Sequence, residues 1–364
     1  MTTLADLQQQ AGTFHVNGNA ALVSKPDQMA MPTISAVIPV YNSAESLKVC
    51  LEYLLSSNYP SYECIVVNDG STDASEIIAR RFGVEVLRLR EGPFGPAYAR
   101  NRGAELARGN VLLFIDADVA IAAKTLHVVA KAFQDDADLA AIFGSYDAQP
   151  MHLGVISQYR NLIHHFVHQN GRSEASTFWA GCGAVRRSVF EQIGGFDERR
   201  FPRASIEDIE LGYRLRRAGH RILLDRSLQG KHLKHWNCYS LLRTDIMRRA
   251  IPWSRLILET QEMPNDLNVS RAQRLSVALM AFATIFLILS WLRPEMLALT
   301  AAACCSVLFI NRRLYAFFLR QRGWLFAVAC VPLHFIYYLY CGFSYVSVWT
   351  ILRLQRAISM AHLH

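Results

Sequence analysis

The stretch VLLFIDAD, residues 111–118, decides how the rest of the chain is read. Five consecutive apolar residues, Val111–Ile115, suit a strand buried on both faces, and Asp116-Ala117-Asp118 ends it. Upstream, TISAVIPV at 33–40 is a short β-rich run closed by Pro39. ECIVV at 63–67 is a second strand, broken by Asn68-Asp69-Gly70, and Val84–Leu89 is a third that alternates apolar with charged residues. Helices are predicted between them: one from about Ser43 to Ser56, one capped by Ser71, Thr72 or Asp73 and running through Arg81, and one over 97–107. Strands alternating with helices predict an α/β, doubly wound, mostly parallel sheet. In such sheets ligands bind beyond the carboxyl ends of the strands, so Asp69, Asp116 and Asp118 are expected around one crevice. Residues 140–260 are less regular. A small-residue loop, Trp179–Gly183, precedes a helix near 186–193 that Gly194-Gly195 ends, and a further helix runs from about Ser205 to Ala218, stopped by Gly219.

The 364 residues carry 52% hydrophobic side chains and a net charge of +8, which excludes a disordered chain. All of that excess charge lies after residue 270, where nine Arg face one acid, Glu295; the first 270 residues balance. The same C-terminal part is apolar. Leu275–Leu292 holds 15 apolar residues in 18 and no charge, Met296–Ile310 is a shorter uncharged stretch, and Trp324–Thr350 is a third. Three spans are predicted (275–292, 296–310 and 324–350), the last alternatively a hairpin around Cys341-Gly342. Six Arg then fall on the inner side and three on the outer, with the preceding domain cytoplasmic and the chain multi-pass in the cell (inner) membrane. Arginines flanking apolar spans suit a membrane partner rather than nucleic acid. The eight Cys form no C-x-x-C pair and read as buried thiols. Residues 1–32 read as a polar lead-in without a signal peptide. The division expected is therefore 1–32, a domain over 33–260 and a membrane region over 261–364.

Several residues carry candidate chemistry, each with a plainer alternative. Asp116 and Asp118 suit Mg²⁺ or Mn²⁺ against a diphosphate, or merely cap a loop. Asp69 is placed to accept from a nucleobase N–H, or belongs to an ordinary Asn-Asp-Gly turn. Asp208, beside Glu207, is a candidate general base; alternatively both acids serve the helix dipole, with Ser205 and Asp208 as a capping box. Arg100 is a phosphate partner or a surface arginine. His232 and His235, in KHLKHW, suit a metal or phosphate, or a solvated basic loop for His235.

AVIPVYN at 36–42, VNDGSTD at 67–73, ARNRG at 99–103 and FIDAD at 114–118, followed by GGFDE at 194–198 and EDIELGYRL at 207–215, resemble glycosyltransferase family 2. The resemblance covers about residues 33–256, and PLHFIYYLYCG at 332–342 resembles the membrane region of bacterial members. It implies a GT-A fold and an inverting hexosyl transfer from a nucleotide-sugar, most often a uridine one. It also implies a nucleotide-sugar site of Pro39, Tyr41, Asp69, Arg100 and Asp116. Asp116 and Asp118 would hold the metal, with His232 as the remaining ligand, and Asp208, with Glu207 beside it, would be the catalytic base. A lipid or lipid-linked glycan is the acceptor expected of an anchored enzyme. Processive polymer synthases of the family carry Q-x-x-R-W; here the nearest run is Arg249-Ala250-Ile251-Pro252-Trp253, which argues against processivity. Sugar transfer to polyprenyl phosphate and a non-catalytic membrane scaffold are the rival expectations. The Glu207-Asp208 pair favours a hydroxyl acceptor, since a phosphate needs no base.

Overall fold

A computed structural model describes residues 31–361; the expected lead-in falls, but for Met31 and Pro32, outside them. The first half follows the predicted alternation. Strand β1 (Ile34–Val40), helix α1 (Ala44–Leu55), β2 (Tyr62–Asn68), α2 (Ser75–Arg81), β3 (Glu85–Arg88), α3 (Pro96–Leu106) and β4 (Val111–Ile115) succeed one another. The order β3-β2-β1-β4 is parallel throughout. Alternate residues of the central strands enter separate cores on the two faces. Leu113 and Ile115 join Ile38 and Leu47 on one side, while Leu112 and Phe114 join Val37 and Ala99 on the other. Helix α3 lies so close to the sheet that a Cβ on Gly103 would stand 2.4 Å from Val37 Cγ1.

The second half departs from a purely parallel sheet. Beyond β4 come β5 (Val119–Ile121), α4 (Thr125–Asp135), β6 (Leu139–Tyr146), α5 (Val155–Gln169), β7 (Cys182–Arg186), α6 (Arg187–Gln192), α7 (Glu207–Arg217) and β8 (Arg221–His232). The sheet continues β4-β7-β6-β8-β5, with β7 antiparallel to both its neighbours and β5 antiparallel to β8. Only β6 and β8 pair in parallel here. The resulting eight-stranded mixed sheet keeps its opening at the carboxyl ends of β1, β2 and β4. Asp73 is not the cap residue of α2. It accepts from Ser75 N and Ser75 Oγ with one oxygen and from Ala44 N with the other, and so ties the starts of α1 and α2 together.

After β8, helix α8 (Cys238–Asp245) passes into a single π turn, Ile246–Ala250, and then α9 (Ile251–Thr260). Three apolar helices follow: α10 (Arg271–Leu289), α11 (Met296–Ile310) and α12 (Arg312–Ala361), the last interrupted at Gly323. Helices α10 and α12 are long and apolar enough to cross a membrane, and α11 is shorter. Residues 312–333 do not stand apart from the preceding domain. Leu314, Phe318, Phe326 and Cys330 are buried with Tyr159, Leu162 and Trp236, and Arg322 donates to Ala148 O at 2.8 Å. Farther along α12, Tyr338 OH donates to Gln273 Oε1 at 2.8 Å, and a Cβ on Gly342 would lie 3.1 Å from Val277. From about residue 338, α12 therefore runs beside the start of α10 and in its direction. One face of the first half of the apolar stretch 324–350, with Phe326 and Cys330, packs against the sheet domain, while Leu325 and Val328 face outward.

Candidate active site

The carboxyl ends of β1, β2 and β4 open into a cleft of about 830 Å³ whose walls include Pro39, Tyr41, Asp69, Asp116 and Asp118. Chain reversal after each strand delivers these residues. After β2, Asn68 Oδ1 accepts from Ser71 N at 2.9 Å, which turns the backbone and leaves Asp69 at the tip. Its carboxylate accepts from Phe94 N and Gly95 N, both at 2.8 Å, fixing the loop that leads into α3. Burial pushes the Asp69 carboxyl upward against the pull of those two N–H groups. After β4, Val119 N donates back to Asp116 O at 2.9 Å, so the two carboxylates flank a tight turn.

Helix α7 brings its first turn to the same cleft. Gly212 permits this: a Cβ there would stand 2.4 Å from Phe178 N, so α7 rests directly on the backbone before β7. Asp208 Oδ2 then accepts from Ala180 N at 3.2 Å, in the small-residue loop noted above, and Oδ1 from Ile209 N at 2.8 Å. The expected Ser205–Asp208 capping box is not formed, because the helix starts two residues later than predicted. Instead Ser205 N donates to Glu207 Oε2 at 2.9 Å.

Arg100 connects the two groups of acids. It is 4% exposed and donates to Asp116 Oδ1 at 2.6 Å and to Glu207 Oε1 at 2.8 Å. It is thus neither a surface arginine nor an uncommitted phosphate partner; it joins the end of β4 to the start of α7. Burial opposes its charge, but Asp116, Glu207 and Asp208 more than offset this and hold the guanidinium firmly protonated. Asp208 responds to the same field. Burial and then Glu207 raise its carboxyl, Arg100 and the Ala180 N–H oppose them, and the net result is a pKa pushed up to about 7. Two of the sequence motifs join beside it. Asn101 donates to Phe196 O at 2.9 Å and accepts from Phe196 N at 2.9 Å, locking ARNRG onto GGFDE.

His232 ends β8 opposite Val119, and Leu233 N donates to Asp118 O at 2.8 Å. The imidazole stacks on Tyr146 with centroids 4.1 Å apart, and its buried Nδ1 has no hydrogen-bond partner among the described residues. Burial, then Arg160 and Lys234, pull its pKa down to about 3, so the ring is neutral. His235 does not line the cleft; it meets His152 edge-on. Among the described residues no three His, Cys, Asp or Glu are already gathered at metal-binding distance. The donor chemistry nevertheless fits a divalent cation: carboxylates at 116 and 118 line the same cleft as a neutral imidazole whose nitrogen is unpartnered. Burial raises the Asp118 carboxyl, with Lys234 opposing, as is expected of a buried acid whose charge is not fully compensated.

Sequence reasoning missed one wall of the cleft. Arg160, His164 and His168 project from α5 at i, i+4 and i+8, beside Tyr146 and Trp179. That spacing in VISQYRNLIHHFVHQ was the available signal. Arg248, Arg249 and Trp253, from the π turn and α9, also line the cleft.

With this geometry in place, a family model described as Glycosyl transferase family 2 matches residues 35–194. Those residues are a family 2 glycosyltransferase domain. The match ends before Glu207 and Asp208. The chain is 35% identical over 111 residues to the uncharacterized glycosyltransferase YibD of Escherichia coli K12, covering 29% of this chain and 32% of that protein. It is 40% identical over 95 residues to glycosyltransferase AglE of Haloferax volcanii, covering 24% of this chain and 31% of that protein. The chain thus spans about a third of the length of these curated relatives. Among solved structures it resembles the mannosyltransferase PcManGT of Pyrobaculum calidifontis, with a TM-score of 0.54 at 19% identity over 88% of this chain and 89% of that one. That likeness concerns the fold, which is GT-A.

Proposed function

We propose that the chain is a membrane-anchored, inverting glycosyltransferase. It moves a sugar from a nucleotide-sugar, in our reading a uridine diphosphate sugar, to a hydroxyl of a lipid or lipid-linked glycan. The observation that carries this is the convergence of Asp69, Asp116, Asp118 and Asp208 on one cleft, with Asp208 tuned to about 7. A base with that value is half ionised at neutral pH, where it both accepts a proton and has driving force to do so. Asp208 takes the acceptor hydroxyl proton while the acceptor oxygen attacks the anomeric carbon. The bond from that carbon to the diphosphate oxygen breaks, and its electron pair leaves with the nucleoside diphosphate. Two N–H donors, Ala180 and Ile209, orient the carboxylate for this step. Asp69 holds the loop 92–95 that closes over the base end of the donor, beside Pro39 and Tyr41.

Mg²⁺ or Mn²⁺, held by Asp116 and Asp118 with His232 as the third protein ligand, would supply charge neutralisation for the leaving diphosphate. The mannosyltransferase PcManGT was solved with GDP-Man and Mn²⁺, which supports a nucleotide-sugar and a divalent ion as the pair to test first. In this reading α10, α11 and the second half of α12 are the anchor in the cell membrane, and the catalytic domain faces the cytoplasm. Incubating membranes that contain the protein with a panel of radiolabelled nucleotide-sugars, followed by lipid extraction, tests the proposal. Label should enter the lipid fraction with the native chain and not with Asp208→Asn. Equal labelling by both would remove Asp208 from the reaction.

A further inference from the structure

The cleft has a second, basic end that the sugar-transfer chemistry leaves unused. Arg248 and Arg249 are consecutive residues of the π turn, and both line the cleft with Arg160. Single π turns are uncommon and concentrate at functional sites. This one is fixed at two points. Ser205 Oγ donates to Arg248 O at 3.1 Å, which sets the turn against the loop that feeds the Asp208 helix. Asp245, buried just before the turn, accepts from Arg249 Nη1 at 3.2 Å and from Tyr340 OH at 2.8 Å, and lies 3.7 Å from Arg160. One carboxylate therefore faces two guanidinium groups, and the Arg248 side chain has no ion-pair or hydrogen-bond partner among the described residues. Positive charge is thus left over at this end of the cleft, apart from the acids at the other, of which Arg100 holds Asp116 and Glu207.

Tyr340 gives the direction of this end. It sits on α12 between Tyr338 and Gly342, which contact Gln273 and Val277 in the first turns of α10. The subsite is thereby anchored where the two helices long and apolar enough to span a bilayer begin to run together. We propose that Arg160, Arg248 and Arg249 form a subsite for the phosphate or diphosphate of an acceptor whose lipid chain lies in the membrane. Planar guanidinium groups match phosphate oxygens in paired hydrogen bonds. Asp245, at the end of α8, and Tyr340, on α12, are positioning residues: they orient Arg160 and Arg249 without touching the acceptor. This rests on the glycosyltransferase reading and adds to it that the acceptor is an anionic lipid-linked species rather than a neutral one.

The test uses the full chain in detergent micelles and measures binding, not turnover. Farnesyl diphosphate is the probe, farnesol its neutral counterpart, and uridine diphosphate with Mn²⁺ the donor-side control. The native chain should bind farnesyl diphosphate at least tenfold more tightly than farnesol. The double variant Arg248→Ala, Arg249→Ala should lose at least tenfold in farnesyl diphosphate affinity and stay within twofold for the nucleotide. Tyr340→Phe, a mild change, should weaken farnesyl diphosphate several-fold and leave the nucleotide unmoved. Equal losses for both ligands in the double variant would assign the arginines to the donor diphosphate and overturn the proposal, as would unchanged farnesyl diphosphate binding. A native chain that binds the nucleotide but does not prefer farnesyl diphosphate refutes the subsite alone. A native chain that binds no nucleotide diphosphate from a panel of bases refutes the parent reading.

Discussion

Replacing either neighbour of Asp208 should move the pH dependence of transfer, and the two replacements should move it in opposite directions. Asp208 must be ionised to act as the base, so kcat/KM should rise with pH through about 7, the value set mainly by burial and Glu207 against Arg100. Arg100→Gln removes the opposing positive charge. It also releases Asp116 and Glu207, which Arg100 holds at 2.6 and 2.8 Å, as uncompensated negative charges near Asp208. Both effects disfavour the ionised base, and an opposite charge at such range is worth about 1–2 pH units, at about 1.4 kcal/mol per unit. The acid limb of Arg100→Gln should therefore lie near pH 8–9, roughly. Glu207→Gln removes the adjacent like charge while Arg100 keeps Asp116, so its limb should fall by about 1 unit, to near pH 6. The assay is kcat/KM from pH 5 to 9 with the donor that the nucleotide-sugar panel selects. The limb position, not the height of the plateau, is the readout, because Arg100→Gln lowers the plateau for structural reasons as well. Two shifts of the same sign, or none in either variant, would refute Asp208 as the base whose field these residues set.

Other outcomes follow from the same contacts. Asp208→Asn should raise Tm at pH 8 and lose that gain near pH 4. The native carboxyl titrates at about 7 against 3.8 when free, so its cost to folding grows as pH rises through that window and is complete above it; a thermal melt series checks this. Asp118→Ala should abolish Mn²⁺-dependent nucleotide binding in calorimetry, and His232→Ala should weaken it by tenfold or more while leaving metal-free binding unchanged. Gly212→Ala should destabilise the chain by about 2 kcal/mol or more, since its Cβ would meet Phe178 N and Thr177 C at 2.4 and 2.5 Å, and denaturant unfolding reads that loss.

How far the sequence reaches into this site depends on the range of the interactions that place each residue. The strand ends were legible because they rest on local signals. A continuous apolar run fixes β4, and the turn chemistry of Asn68-Asp69-Gly70 and Asp116-Ala117-Asp118 puts acids at the tips, so a crevice lined by Asp69, Asp116 and Asp118 needed no tertiary knowledge. The reversal of the sheet at β7 was not legible. CGAVR is as apolar as a parallel strand, and its direction is set by the path from α5 through the loop before it. Arg100 shows the same limit more sharply. Its position on α3 is local, but its partners lie 16 and 107 residues away, and no periodicity announces that a helix arginine will be buried between two carboxylates.

The packing of α12 against the sheet domain was not legible for a related reason. Hydropathy registers that Trp324–Thr350 avoids water, and it cannot tell lipid from a protein surface. Phe326 and Cys330 bury themselves against Tyr159, Leu162 and Trp236, whereas Phe343 and Val346, farther along the same helix, face outward at 76% and 59% exposure. The helix keeps one buried face along its length, through Tyr338 to Val348, and at Tyr338–Gly342 that face meets α10. That is also where Tyr340 reaches back to Asp245 and, through it, to Arg160 and Arg249 in the cleft. A helix that only anchored the domain would have no need of a buried hydroxyl–carboxylate contact at its point of departure. One that also positions the groups receiving a membrane-borne substrate would need it there, because that is where the substrate's charged end must leave the lipid and enter the cleft.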